Sequence, residues 1–145
     1  MIQNETEVLI GRPVEEVFAF VDDEGKTPQW LGLCVSLARA SDGPKGVGTK
    51  LHYVHREGGR AASMDGVVTA YEPGQRLGMN YTDRSFDVAV DFWLAAADGG
   101  TALRHATAIT PKTFVGRLMS PLIGGMTRRQ MQKDLQMLKG LLEGG

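Results

Sequence analysis

One cysteine, Cys34, occurs in 145 residues, which excludes an intramolecular disulfide and fits a reducing compartment. No run of about 18 apolar residues is present, so no segment reads as a membrane span. The opening MIQNETEV has neither the basic start nor the apolar run of a secretory leader, and the expectation is a cytoplasmic protein. Basic excess is missing as well. Sixteen Lys and Arg stand against 17 Asp and Glu, a formal net charge of −1, and no nucleic-acid partner is expected from that balance. Glycine-rich phosphate loop, nucleophile elbow and metalloprotease helix are all absent, and no cofactor is expected. No internal repeat, low-complexity tract or linker divides the chain. Residues 1–145 therefore read as one domain, long enough to bury a core without staples.

What is present is ordinary in amount and uneven in placement. Apolar residues make up 42% and charged ones 23%, as in a soluble globular protein. Residues 1–24 hold seven acids (Glu5, Glu7, Glu15, Glu16, Asp22, Asp23, Glu24) against Arg12, whereas from Lys112 onward six Lys or Arg stand against Asp134 and Glu143. Two solvated faces would explain this; so would a basic rim that attracts an anionic head group or membrane surface.

The longest pattern is at the C-terminal end. Met131, Leu135, Leu138 and Leu142 recur at steps of four, three and four, which places them on one helical face, with Leu122, Met126, Met137 and Leu141 widening the stripe. Ser120-Pro121 reads as cap and first residue, and Gly144-Gly145 as the stop. At 1.5 Å per residue such a helix is roughly 34 Å long, the span of a small domain.

Upstream, Asn4 to Ile10 alternates as a strand with Thr6, Val8 and Ile10 on one face. Pro13 to about Asp23 is a short amphipathic helix with Val14, Val17, Phe18 and Val21, and Glu15 and Glu16 at its positive end. Gly25 to Pro28 interrupts it, and Pro28 to Gly32 forms a second helical turn carrying Trp30 and Leu31. Six strands then follow at Val35–Arg39, Thr49–Arg56, Ala61–Tyr71, Arg76–Tyr81, Phe86–Leu94 and Thr101–Thr110, separated mostly by Gly- and Asp-rich turns. Val68 and Tyr71 are both inward in character but three apart, which predicts a bulge. Phe114 to Met119 reads as a helical lead-in. The sum is an α+β fold: a seven-stranded antiparallel sheet, apolar on one face, wrapped around a long C-terminal helix, with two short helices between strands 1 and 2.

This order resembles the helix-grip fold of the START-like, birch-pollen-allergen-like superfamily (SRPBCC), in particular its bacterial polyketide cyclase/dehydrase-type members. The carrying residues are the opening VLIGRPVEEVFAFV, Asp23 with Trp30, Gly46-Val-Gly-Thr49, Tyr71-Glu-Pro-Gly-Gln-Arg-Leu77, Gly99-Gly-Thr-Ala-Leu103 and the terminal Asp134-Leu, Leu138-Lys and Leu142-Glu143. Their order and spacing point to the fold and only weakly to a function, since one scaffold hosts carriers, receptors and cyclases.

The resemblance implies a cavity between sheet and helix that takes an apolar ligand. Its wall is then Leu51, Tyr53, His55, Val68, Met79, Tyr81, Val88, Val90, His105 and Thr107 from the sheet, Leu122, Met126 and Met131 from the long helix, and Trp30 and Leu33 from the small helices. Met79, Met119, Met126 and Met131 suit either an adaptable pocket or plain gap-filling. His55 and His105 are the candidate catalytic groups, because a histidine near its usual pKa of about 6.5 serves as acid or base; a buried histidine held by a neighbour is the plainer reading. No metal is expected, since no Cys, Asp or Glu shares their phase and zinc wants three or four ligands. His52 points to solvent, and Asp87 and Asp91 are expected to be solvated, pairing with Arg104 across the hairpin. Cys34 reads as a small buried hydrophobe. Three functions remain open: holding a hydrophobic small molecule such as a lipid or polyketide, for transport or sequestration; aromatase/cyclase or dehydratase chemistry with inward His and Tyr groups; or a protein- or membrane-surface role of the basic C-terminal helix. Monomer and homodimer are both open.

Overall fold

The computed structural model describes residues 1–144. Its elements run β1 (Ile2–Ile10), α1 (Val14–Asp22), a 3-10 turn (Glu24–Lys26), α2 (Thr27–Trp30), β2 (Cys34–Arg39), β3 (Lys50–Glu57), β4 (Arg60–Glu72), β5 (Arg76–Thr82), β6 (Phe86–Ala97), β7 (Gly100–Pro111), α3 (Phe114–Leu118) and α4 (Ser120–Gly144). The seven strands form one antiparallel sheet in the order β1-β7-β6-β5-β4-β3-β2. Each strand after β2 pairs with its predecessor, and β7 closes onto β1. The expected bulge is present: the β4–β5 register slips between Val68 and Ala70, so that Tyr71 turns toward α1 and packs edge-on against Phe18 at 5.9 Å.

Alternation decides which face is buried. On β5, Leu77, Met79 and Tyr81 point inward, and on β6 Phe92 and Leu94 do so. They meet Leu103 of β7, Val17, Phe18 and Val21 of α1, and Leu135 and Leu138 of α4 in one core. Gly66 is required by close approach, because a Cβ there would lie 2.6 Å from the Tyr81 ring. The opposite face carries the charges. Arg76 pairs with Asp91 at 3.0 Å, Lys112 with Asp87 at 3.0 Å and Arg104 with Glu5 at 3.2 Å. Arg104 thus turns to the neighbouring strand β1 and covers the Trp93 ring at 4.2 Å, rather than pairing with Asp87 or Asp91. Such exposed pairs contribute little to stability.

α4 runs beside β1 and in the same direction. Asn4 Nδ2 donates to Gly124 O (3.0 Å), Lys139 Nζ to Leu9 O (2.6 Å) and Arg12 Nε to Leu142 O (2.8 Å). Met131, Leu135 and Leu138 are buried as the spacing requires, Leu142 is half-buried, Leu122, Met137 and Leu141 face outward, and Met126 is exposed at the edge of the cavity described below. The start of the helix differs from expectation. Thr113, whose Oγ1 accepts from Gly116 N at 3.0 Å, caps α3, and Ser120 instead turns its hydroxyl back to Gly116 O at 3.3 Å. The expected stop at Gly145 lies outside the described residues. The expected interruption between the two short helices is present but begins at Asp23, whose extended backbone ends α1: Asp23 caps a 3-10 turn through Gly25 N (2.9 Å), and α2 follows at once with Pro28 in its first turn. Among the described residues, no helix is long and apolar enough to cross a membrane.

Candidate functional site: a cavity between sheet and helix

Sheet and α4 diverge toward the N-terminal half of the helix and leave a cavity of about 490 Å³. From the sheet it is lined by Tyr53 and His55 on β3, Met79 and Tyr81 on β5, Val88 and Val90 on β6, and His105 and Thr107 on β7. α4 contributes Met126 and Met131, and the α2 region contributes Trp30 and Leu33. Leu51 and Val68, almost wholly buried, pack inside the sheet's core and do not reach the cavity wall. Leu122 does not reach it either. It is 53% exposed, and its neighbour Ile123 takes the inward position. Met119 is likewise turned out, while Met64 of β4 reaches the cavity with Met79, Met126 and Met131.

Two aromatic stacks form much of the wall. Tyr53 lies 5.2 Å from His55, nearly parallel, and 5.1 Å from Tyr81. Phe92 stacks on His105 at 4.3 Å and meets Trp30 edge-on at 5.9 Å. Two hydroxyls in this wall are satisfied by sulfur: Tyr81 Oη donates to Met79 Sδ and Thr107 Oγ1 to Met131 Sδ, both at 3.4 Å. Trp30 Nε1, His55 Nε2 and His105 Nδ1 are occluded without a hydrogen-bond partner among the described residues, which carries a desolvation cost.

Burial disfavours the charged form of several groups in this wall. It lowers His105 to about 4, raises the Cys34 thiol to about 11 and pushes the Tyr53 and Tyr81 phenols up, with smaller contributions from neighbouring acids. Asp134 is the one carboxyl on the cavity wall from α4. Burial raises its pKa against the opposing pull of its hydrogen bonds from Gly32 N (3.0 Å) and Gln130 Nε2 (2.8 Å). Its position, three residues after Met131 and four before Leu138, places it on the buried face of α4, a spacing signal that the reading by apolar residues passed over.

At the opposite rim sits a second polar group. Lys45 Nζ lies 2.8 Å from Asp22 Oδ1 and 3.4 Å from Glu24 Oε1, donates to Asp22 O at 2.9 Å, and is nearly buried. Tyr71 Oη donates to Asp22 Oδ2 at 2.7 Å, and burial together with that bond raises Tyr71 to about 12. Lys45 thus pins the Gly-rich 41–49 loop onto the end of α1 beside the cavity. No local sequence signal gives this contact, since it joins residues more than twenty apart in a loop of turn composition. Among the described residues, no three His, Cys, Asp or Glu side chains come together as a metal site.

Over residues 1–143 the sequence matches the family described as polyketide cyclase / dehydrase and lipid transport. The chain belongs to this family. The fold is that of the wider START-like group. Ara h 8.0201 superposes with a TM-score of 0.75 at 18% identity, covering 99% of this chain and 98% of that one. A START superfamily protein from Mycobacterium smegmatis gives 0.79 at 16% identity, over 98% and 97%. The di-domain ARO/CYC StfQ of the steffimycin biosynthetic pathway gives 0.81 at 12% identity, over 99% of this chain and 51% of StfQ. At these identities the likeness establishes the helix-grip fold and nothing finer. A sequence comparison with curated proteins returns no match.

Proposed function

We propose that the protein holds an uncharged hydrophobic small molecule, of lipid or polyketide character, in the cavity between sheet and α4. The observation that carries this reading is a cavity of about 490 Å³, within the size range of small-molecule sites, whose wall is aromatic and thioether-rich. His105 is kept neutral there by burial, and the Cys34 thiol and the Tyr53 and Tyr81 phenols, pushed up further by burial, are uncharged as well. An apolar ligand gains from burial there at roughly 25 cal/mol per Å² of apolar surface, whereas a charged one would lose hydration with no opposite charge deep in the wall to replace it. Four methionines supply side chains that adjust to shape.

The wall also carries His and Tyr groups of the kind a cyclase or dehydratase uses. Holding is favoured over turnover because His105, lowered to about 4, is a weak base near pH 7, and neither histidine has a partner at its occluded nitrogen to orient the ring. Native mass spectrometry of the purified protein is the test. A co-purifying apolar adduct, released on denaturation, is expected; no adduct and no saturable uptake of an apolar dye would overturn the proposal. His55→Ala and His105→Ala should leave affinity largely intact, and loss of turnover on a polyketide-like substrate with binding retained would transfer the assignment to the enzyme.

A further inference from the structure

α4 has a second face that the sheet does not use. Leu122, Met126, Arg129, Lys133 and Met137 follow at steps of four, three, four and four, so they share one side of the helix, opposite Met131, Leu135 and Leu138. All five are exposed. Just before them, Phe114, Val115 and Leu118 of α3 are also exposed, Phe114 to 71%. The short α3 and the long α4 thus present large apolar side chains to solvent side by side, where a scatter of single residues would need no explanation.

The charge around these residues has one sign. Between Asp98 and Asp134 the sequence contains no acid, while Arg104, Lys112, Arg117, Arg128, Arg129 and Lys133 fall in that interval. Arg104 and Lys112 are engaged with Glu5 and Asp87. Arg117, Arg128, Arg129 and Lys133 are exposed and make no ion pair among the described residues. Apolar tips set among unpaired cations are the pattern of an element that lies in a bilayer interface, with side chains in the acyl boundary and cations on anionic head groups.

We propose that α3 and the outward face of α4, from Phe114 to Met137, dock the protein on an anionic lipid surface. The position has a consequence that rests on the cavity reading above. Ile123, Met126, Thr127 and Gln130 line the cavity, so the docked stretch of α4 is also the cavity's wall, and an apolar ligand would exchange there without crossing bulk water. Docking itself does not depend on the cavity being a binding site.

The experiment is co-sedimentation with vesicles of phosphatidylcholine mixed with phosphatidylglycerol, against phosphatidylcholine alone, over a range of NaCl concentrations. Binding to the anionic vesicles that weakens with salt is expected. Arg128→Gln with Arg129→Gln should weaken it about fivefold per charge removed. Phe114→Ser with Leu118→Ser should weaken it about tenfold or more; these side chains are exposed, so folding is checked by an unchanged thermal midpoint. No binding to anionic vesicles at low salt, or binding that neither pair of substitutions alters, overturns the proposal. So does a dimer without vesicle binding that Phe114→Ser and Leu118→Ser dissociate, since that face would then pair two copies of the chain. A soluble apolar dye titrated without vesicles reads the cavity alone, so failure of docking and failure of the cavity reading are told apart.

Discussion

His105 shows how an apolar wall sets the chemistry of a single residue. Lodged against Phe92 and shielded from water, it is lowered to about 4 in the fold, against about 6.5 unfolded. Between those two values the unfolded chain binds a proton that the folded one refuses, so stability falls as pH drops through this window and levels off below about 4. The shift corresponds to roughly 3 kcal/mol. His105→Gln should flatten the dependence of the denaturation midpoint on pH between about 4 and 6.5; an unaltered slope would show that this histidine takes its proton in the fold. Asp134 acts with the opposite sign. Burial raises its folded pKa, so it favours the folded state on acidification above its unfolded value, and the difference between parent and variant isolates His105 from it. Asp134→Asn keeps an acceptor for Gly32 N without a charge to desolvate and should leave stability at pH 7 unchanged or higher. Asp134→Ala removes the acceptor of that part-buried bond and should cost about 0.5–1.5 kcal/mol, read from urea midpoints.

At the scale of the element, α4 divides into two parts. Its second half anchors: Leu135 and Leu138 are almost fully enclosed, and Leu138→Ala should cost about 2–5 kcal/mol in chemical denaturation. Its first half carries Gly124 and Gly125, each about 1 kcal/mol poorer than Ala in a helix interior, and turns Leu122 to solvent. Leu122→Ala should therefore change stability by less than about 0.5 kcal/mol. Equal losses at the two positions would contradict the division. The second half was legible in the sequence because steps of three and four among Met131, Leu135 and Leu138 admit one buried face. The first half was not, because Leu122, Ile123 and Met126 are all apolar, and only the placement of the helix against the sheet decides that Ile123 and Met126 border the cavity while Leu122 is turned out. The strands were legible to within a few residues wherever alternation was strict, as on β5 and β6. Between β1 and β2 the two short helices were legible, but the 3-10 turn that joins them was not, because Gly25 read as a plain break and serves as Asp23's cap partner.

For the whole molecule, belonging to the polyketide cyclase / dehydrase and lipid transport family accounts for the architecture, and the particular side chains account for the cavity's character. Strand phase together with the family resemblance named part of its wall, such as Tyr53, Met79, Val90 and His105. The Lys45–Asp22–Glu24 cluster and the inward turn of Met64 could not be named in this way, since both depend on which loop or strand closes over the opening. The central claim is that this cavity accepts an uncharged apolar ligand, and fluorescence titration with N-phenyl-1-naphthylamine tests it most directly. Val90, flanked on its neighbouring strands by Met79 and Thr107, is the place to fill. The parent protein should bind the dye saturably, and Val90→Trp, with its fold confirmed by circular dichroism, should bind at least about tenfold more weakly. Absence of saturable binding to the parent, or equal binding by the filled variant, would contradict it.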